Sequence, residues 1–143
     1  MADKVKDSID IKATAEQVFK VATDFDSYPQ WNANIKKVEI RARDDDGHPI
    51  EVWFEVDAKV KTIRYTLEYD YSDAPEAFSW DLKEGDVKQL NGAYTFDEFD
   101  DVTDVTYELA IEPGFPIPGF MKRQAEKQIM RSALQDLKQR VEE

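Results

Sequence analysis

MKRQAEKQIMRSALQDLKQRV, residues 121–141, carries an apolar side chain at every fourth position. The row consists of Met121, Ala125, Ile129, Ala133, Leu137 and Val141, and Met130 and Leu134 widen it. Because a step of four residues returns to about the same side of an α-helix, the stretch predicts an amphipathic helix of roughly 22 to 25 residues. At about 1.5 Å per residue, that helix is long enough to cross a small domain.

Six segments upstream of this helix alternate apolar with polar residues, which is typical of strands that bury one face. Their apolar positions are Val38, Ile40 and Ala42; Val52, Phe54, Val56 and Ala58; Tyr65, Leu67, Tyr69 and Tyr71; Phe78, Trp80 and Leu82; Leu90, Gly92, Tyr94 and Phe96; and Val105, Tyr107, Leu109 and Ile111. Turn residues separate several of them, as in the acidic stretch at residues 44–47. The pattern predicts an antiparallel meander with one wet face.

One more strand and two short helices are predicted near the N-terminus. Val5, Ile9 and Ile11 alternate with polar residues. Residues 14–17, Thr-Ala-Glu-Gln, have the form of a capping box, and Pro29 suits the first turn of a helix at roughly residues 28–34. The element order predicts an α+β fold in which a curved antiparallel sheet of about seven strands surrounds the C-terminal helix. Residues 1–143 are expected to form a single domain.

The inner face of this sheet is wider than one helix can cover. A helix is about 10 Å wide, whereas about seven strands at a spacing of about 4.8 Å span about 30 Å. Large aromatic side chains have inward parity on the strands, and small or flexible ones face them from the helix. The pattern fits an apolar small-molecule pocket, and it also fits a core filled by the aromatic rings, which is the commoner arrangement.

Composition excludes several classes of protein. The 143 residues include no cysteine, which excludes disulfide frameworks and thiolate metal sites. The net charge of −12 argues against nucleic-acid binding. From residue 119 onward there are six basic and four acidic side chains, so this segment has a net charge of +2 and residues 1–118 have a net charge of −14. We therefore expect a basic helix against an acidic sheet. Without a signal peptide or an apolar run of membrane-spanning length, the chain is predicted to be cytoplasmic.

Three segments occur in a distinctive order and spacing along the chain. They are Ala15-Glu16-Gln17-Val18-Phe19 followed by Asp24 and Tyr28-Pro29-x-Trp31; Phe78-Ser79-Trp80-Asp81-Leu82-x-Glu84-Gly85; and Pro113 to Phe120 before the long helix. Together they resemble the polyketide cyclase/dehydrase group of the START-like (SRPBCC) superfamily. The resemblance implies a helix-grip fold with a deep cavity between the sheet and the C-terminal helix. Members of the group bind lipids, isoprenoid quinones, sterols or polyketides, and many have no demonstrated activity.

Fourteen residues are predicted to line this cavity. They are Trp31, Phe54, Tyr65, Tyr69, Phe78, Trp80, Tyr94, Phe96, Tyr107, Phe115, Phe120, Met121, Ala125 and Ile129. The closing loop, PGFPIPGF at residues 113–120, is unusually apolar for a surface loop. It is predicted either to gate the cavity mouth or to pack on the sheet edge, and with Lys122 and Arg123 it suits at most a transient membrane contact.

Candidate catalytic groups are scarce. Asp7 shares its parity with Val5 and Ile9, so it is the one strand carboxylate predicted to face inward, although the start of a strand also frays into water. His48, the only histidine, lies in an acidic turn and is interpreted as a solvated turn residue. The acidic runs at residues 44–46 and 97–101 do not have the ligand spacing of a calcium loop. No catalytic residue, metal or cofactor is therefore predicted.

Three functions are consistent with these patterns. The first is binding or carriage of a hydrophobic small molecule, such as a lipid, an isoprenoid or a polyketide, in the cavity. The second is an aromatase/cyclase-type enzyme, which needs an inward acid–base pair in the same cavity. The third is a protein-interaction module that uses the outer sheet face or the acidic surface. Trp53 has outward parity and marks a candidate dimer contact, so a monomer or a weak dimer is expected.

Overall fold

Seven antiparallel strands form one sheet in the computed structural model, which describes residues 4–58 and 61–143. The strands are β1 (Lys4–Ile11), β2 (Ile35–Arg43), β3 (Pro49–Asp57), β4 (Thr62–Asp70), β5 (Ala77–Gly85), β6 (Gln89–Phe99) and β7 (Val102–Glu112). Each strand from β2 to β7 pairs with its neighbour in sequence, and β1 pairs with β7. The predicted meander and the predicted element order are confirmed.

Short helices follow β1, as predicted. They are α1 (Ala15–Ala22), a 3₁₀ turn (Phe25–Ser27) and α2 (Tyr28–Trp31), and the chain ends with α3 (Gly119–Glu142). The capping box is present, because Thr14 Oγ1 accepts from the Gln17 amide at 3.2 Å and Gln17 Oε1 accepts from the Thr14 amide at 2.9 Å. The Ala15 amide donates to Glu98 Oε1 at 2.7 Å, which ties the start of α1 to β6.

The second short helix is shorter than predicted, ending at Trp31 instead of near residue 34. Asn32 has extended backbone angles, and its Oδ1 accepts from the Asn34 amide at 3.1 Å. An asparagine side chain that accepts a hydrogen bond from the backbone amide two residues later competes with the hydrogen bonds of the next helical turn. The Asp57 amide then donates to the Asn34 carbonyl at 2.8 Å, so this connection is held against the end of β3.

Basic side chains of α3 contact β1 and the loop that follows it. The Arg131 guanidinium lies 3.4 Å from the Asp7 carboxylate, and Lys138 Nζ donates to the Asp10 carbonyl at 2.7 Å. Glu142 accepts from the Lys12 amide at 2.9 Å, and this hydrogen bond lowers the pKa of the Glu142 carboxyl. The expected contact between a basic helix and an acidic sheet is therefore observed at Arg131 and Asp7.

The buried face of α3 differs from the predicted row of every fourth residue. Ala133 and Leu137 are buried, but Met121 at the start of the row is exposed. Met130 and Leu134, predicted to widen the row, are buried as well, and Glu126 is buried in addition. At about 3.6 residues per turn, each step of four overshoots a full turn by about 40°, so such a row drifts around the helix. The row was therefore wrong at its N-terminal end, where the buried face follows mixed steps of three and four.

Three aspartates lie side by side across the outer strands, and we expect one of them to limit stability at neutral pH. Asp104 is paired in register with Asp10 on β1 and Asp97 on β6. Partial burial, followed by the charge and hydrogen bond of Asp10 and the charge of Asp97, raises the pKa of the Asp104 carboxyl. A carboxyl whose folded pKa is raised favours the folded state at low pH, and that contribution is lost as the pH rises through the folded pKa.

Asp104→Asn should therefore raise the free energy of unfolding at about pH 7 by about 0.2 to 1 kcal/mol, the usual range for a cross-strand pair. The gain should shrink towards about pH 3, where the raised pKa leaves the Asp104 carboxyl protonated. Urea unfolding of both proteins at the two pH values measures this difference. An equal gain at both pH values would contradict the electrostatic origin of the effect.

Candidate ligand cavity

A cavity of about 140 Å³ lies between the inner face of the sheet and α3. Its walls come from β3 to β7, and Ile129 and Ala133 of α3 close it on the opposite side. Since α3 packs mainly along β1 and α1, the aromatic side chains of the middle strands span the uncovered part of the inner face. The rings touch one another there, with centroids 5.5 Å apart for Trp80 and Tyr94 and 4.7 Å apart for Tyr94 and Tyr107.

The sequence is consistent with a small-molecule pocket and with a core filled by aromatic rings, and the size of the cavity lies between these two alternatives. Aromatic rings fill most of the inner face, as in a plain core, but they leave one space. An engineered apolar cavity of about 150 Å³ is large enough to hold benzene, whereas pockets for drug-sized ligands measure about 300 to 1,000 Å³. The space in this protein is therefore matched to one or two rings unless side chains move.

Eight of the fourteen predicted residues line the cavity. They are Phe54, Tyr65, Tyr69, Phe78, Trp80, Tyr94, Tyr107 and Ile129. The seven strand residues come from five consecutive strands and share the inward parity that the alternating pattern predicted. Binding of a ligand by these residues stays a prediction.

Trp31, Phe96 and Ala125 do not line the cavity. Phe96 lies beyond its end, with its ring 6.4 Å from that of Phe19 on α1, because β6 continues past the cavity. Trp31 packs on the Tyr28 ring at 4.8 Å, and its buried indole N–H has no acceptor among the described residues. Ala125 is half-buried about one turn before Ile129 and is not part of the lining.

The closing loop and the first turn of α3 also lie outside the cavity. Phe115 packs at the edge of the core beneath the Lys61 ammonium, which lies 4.9 Å from the ring centroid. Phe120 and Met121 are 65% and 43% exposed. These three side chains are therefore removed from the lining, and a gating motion of the loop stays a prediction. No helix in the described ranges is both long and apolar enough to cross a membrane.

One end of the cavity is polar, and little in the residue pattern indicated it. Asn32, Asn34 and Asp57 line this end, where β3 finishes beside the connection that follows α2, and all three are half-buried. Asp57 lies between Val56 and Ala58, so alternation predicts it on the wet face, but alternation fails at a strand end because the chain leaves the pleat there. The only available signal was the position of the two asparagines directly after the Tyr28-Pro29-x-Trp31 segment.

The tyrosines of the lining are neutral phenols. Burial is the main cause that raises the pKa of Tyr69 and Tyr94 well above the ordinary value, and it also raises the pKa of Tyr65 and Tyr107. They can therefore donate hydrogen bonds at neutral pH but cannot act there as phenolate bases. Among the described lining residues Asp57 is the one carboxylate, and none is a histidine, lysine or arginine.

The groups considered for catalysis do not assemble into an acid–base pair. Asp7 has the inward parity predicted for it, but it is paired with Arg131 and lies outside the cavity lining. His48 is less solvated than predicted, because its ring packs 4.9 Å from Tyr71 and 5.9 Å from Phe19. The cyclase-type interpretation therefore has only Asp57 among the described lining residues as a proton acceptor.

Asp44, Asp46 and His48 bring one potential metal-ligating atom each within 4.8 Å of one another. Asp44 Oδ1 already accepts from the amides of Asp46 at 3.0 Å and His48 at 2.9 Å. These hydrogen bonds are those of a tight turn between β2 and β3, and they account for the cluster without an ion.

Comparisons with known proteins agree with this architecture. A START superfamily protein from Mycobacterium smegmatis has 26% sequence identity and a TM-score of 0.89, with 97% of each chain covered. A protein from Thermus thermophilus has 23% identity and a TM-score of 0.81, again over 97% of each chain. The Zhui aromatase/cyclase from a Streptomyces species has 17% identity and a TM-score of 0.85 over 99% of this chain and 94% of that chain. No protein of curated function matches the sequence.

The family model described as polyketide cyclase/dehydrase and lipid transport matches residues 2–142, nearly the whole chain. The predicted resemblance and the helix-grip fold are both confirmed. This protein therefore belongs to the polyketide cyclase/dehydrase and lipid transport family of the START-like superfamily.

Proposed function

We propose that this protein binds and carries a hydrophobic small molecule in the cavity between the sheet and α3. The observation that supports the proposal is an apolar space of about 140 Å³ walled by aromatic rings and by the aliphatic side chains of Leu109, Ile111 and Ile129. Removing apolar ligand surface from water gains about 25 cal/mol per Å², less the cost of immobilising the ligand. A ligand of one or two rings gains enough from burial to bind without a charged anchor.

Entry is proposed at the polar end of the cavity. Asn32, Asn34 and Asp57 are half-buried there, whereas Phe78 and Leu109 deeper in the lining are buried. A ligand longer than two rings would extend out between these three side chains. The family description names both cyclase/dehydrase enzymes and lipid transport. Carriage is favoured here because the described lining lacks the acid–base pair that cyclisation needs.

Native mass spectrometry of the purified protein, followed by solvent extraction, tests the proposal. We expect a stoichiometric apolar adduct, or the capture of naphthalene when it is added as a probe that matches the cavity in size. A protein that carries no adduct and takes up no naphthalene at its solubility limit would contradict binding in this cavity.

Filling the cavity should weaken binding without unfolding the protein. Ala133 is buried on α3 and lines the space, so Ala133→Leu places its added carbons inside it. We expect at least a tenfold weaker affinity for naphthalene, and a change in stability between zero and a gain of about 2 kcal/mol, as for other cavity-filling substitutions. Titration calorimetry and urea unfolding measure the two quantities.

Ala125→Leu is the matched control, because Ala125 lies on the same helix, is half-buried and does not line the cavity. This variant should bind naphthalene as the wild type does. Equal affinities for both variants and the wild type would place the binding site elsewhere.

A further inference from the structure

The two edge strands of the sheet are covered to different extents. Side chains of α3 reach β1, where Arg131 Nη2 donates to the Ser8 carbonyl at 3.4 Å and Lys138 Nζ donates to the Asp10 carbonyl at 2.7 Å. At the opposite edge, β2 pairs only with β3 in the described part of the chain, so one row of its backbone N–H and C=O groups has no strand partner. A free edge of this kind can accept an added strand.

The inner face of β2 is incompletely buried. Val38 and Ile40 are half-buried, although their partners in register on β3, Phe54 and Val52, are only 3% and 0% exposed. The 3₁₀ turn lies against β2, and a shallow surface groove runs between the two. A strand added along this groove places every second side chain beside Val38 and Ile40 and extends their burial.

The side chains along this edge are basic, although the protein as a whole is acidic. β2 has a net charge of +3, from four exposed cations and one exposed carboxylate, whereas the whole chain has a net charge of −12. The cations are Lys36, Lys37, Arg41 and Arg43. The carboxylates are Glu39 on the strand and Asp26 on the wall of the groove. Because four cations outnumber two carboxylates, the edge attracts a negatively charged partner.

Other groups of the protein do not neutralise these cations. On β3, Glu55 is paired with Arg64 at 2.9 Å, and Glu51 is paired with a lysine of β5. The acidic turn at residues 44–46 begins seven residues after Lys37, which is about 20 Å along an extended strand. A second copy does not suit the edge either, because pairing β2 with another β2 sets one charge of +3 against another. The charges that prevent self-pairing therefore select an acidic strand.

We propose that β2 is a docking site for an extended acidic segment of a partner protein, which adds to the sheet as a further strand along residues 37–40. Its apolar side chains lie beside Val38 and Ile40, and its carboxylates face Lys37 and Arg41. Pairing of β2 with β3 is regular over residues 37–40 and has register shifts on both sides, so the added strand is short. None of these four side chains lines the cavity, so this inference goes beyond ligand binding and does not depend on it.

Fluorescence anisotropy of the full chain with a labelled peptide, acetyl-EVEVEVE-amide, tests the proposal. A chain with a net charge of −12 repels this peptide at long range, so binding identifies a local basic site. We expect saturable binding at low salt, weaker binding at about 0.5 M salt, and an affinity at least about tenfold lower for the neutral peptide acetyl-QVQVQVQ-amide.

The double variant Lys37→Glu/Arg41→Glu should bind the acidic peptide at least about tenfold more weakly and keep its affinity for naphthalene. Lys20→Glu/Lys127→Glu is the matched control, because it makes the same change of charge at exposed positions of α1 and α3. The control should stay within about threefold of the wild type, since charges beyond about 10 Å are screened. If the first double variant does not fold, Lys37→Glu alone decides, because Lys37 is exposed.

Two N-methylated forms of the acidic peptide test strand addition itself. One form carries methyl groups on the valine nitrogens, and the other carries them on the glutamate nitrogens. A strand presents alternate residues to the neighbour that it pairs with, so we expect one form to lose at least about tenfold in affinity and the other to keep it. The backbone amide signals of residues 37–40 should shift when the unmodified peptide is added to the isotope-labelled protein.

Several outcomes would overturn the inference. They are absence of binding at about 1 mM peptide, equal losses in the double variant and its control, and full affinity of both methylated forms. Tighter binding of an oligothymidine with the same number of negative charges would show that the edge suits a nucleic acid and not a peptide. Naphthalene binding is measured alongside, and its absence would bear on the proposed function alone.

Discussion

Leu137→Ala is expected to lower the free energy of unfolding by about 2 to 5 kcal/mol, the range for truncating a buried leucine. Leu137 is 0% exposed on the inner side of α3, next to Leu134, which is also fully buried. The helix packs there against β1 and α1, so the lost contacts cannot be replaced by solvent or by a mobile side chain. Small domains are stable by only about 5 to 15 kcal/mol, so this loss is a large fraction of the total.

Urea unfolding of wild type and variant measures the effect. Gln135→Ala on the same helix is the control, because Gln135 is exposed and its truncation should change stability by at most about 0.5 kcal/mol. The Leu137 variant should also bind naphthalene less tightly, since α3 supplies Ile129 and Ala133 to the cavity. A loss of stability no larger than that of the control would mean that α3 is not anchored through this side chain.

The sheet could be predicted from sequence because alternation is a local property of each strand. Every predicted inward residue from Phe54 to Tyr107 lies on the inner face, since a period of two leaves no choice once one side is buried. Alternation gives the face on which a side chain lies, but it does not say whether that side chain reaches the cavity. Tyr94 and Phe96 share a face two residues apart, yet only Tyr94 reaches the cavity, and Phe96 packs against Phe19. That difference depends on where α1 and α3 cross the sheet.

The predicted helical row failed for a related reason. A row with a step of four residues predicts that Met121 and Ala125 face inward, but the helix repeat carries that row around the axis. The rim residues Asn32, Asn34 and Asp57 could not be predicted, because their positions follow from a backbone hydrogen bond between a loop and a strand end. Such tertiary contacts have no local sequence pattern.

The size and the lining of the cavity constrain the proposed ligand more closely than the fold does. Helix-grip relatives under 25% identical share the architecture, which by itself does not specify a ligand. In this chain the space is small, and the described lining is uncharged apart from Asp57. A compact, uncharged ligand fits both conditions, whereas a long acyl chain with a charged head fits neither.

Gly92→Ala should destabilise the protein by at least about 1 to 3 kcal/mol, the usual cost of overpacking, and should also shrink the cavity. Gly92 lies on β6 opposite Trp80 of β5. A Cβ atom at this position would lie 2.5 Å from the Glu108 carbonyl oxygen and 2.6 Å from Cζ2 of the Trp80 ring. The carbonyl belongs to the backbone of β7 and cannot move without disturbing strand pairing, so the indole must be displaced.

Trp80 lines the cavity and is surrounded by Tyr69, Tyr94 and Tyr107 at centroid distances of 5.9, 5.5 and 5.8 Å, so the cavity is the space open to it. Gly92→Ala should therefore weaken naphthalene binding together with stability, and urea unfolding and calorimetry measure the two losses. Gly119→Ala is the matched control, since its added Cβ meets only an Arg123 side-chain nitrogen, at 3.6 Å. This variant should leave stability and naphthalene affinity unchanged. If Gly92→Ala lowers stability but keeps wild-type affinity, the indole has moved away from the cavity, and the ligand does not contact this wall.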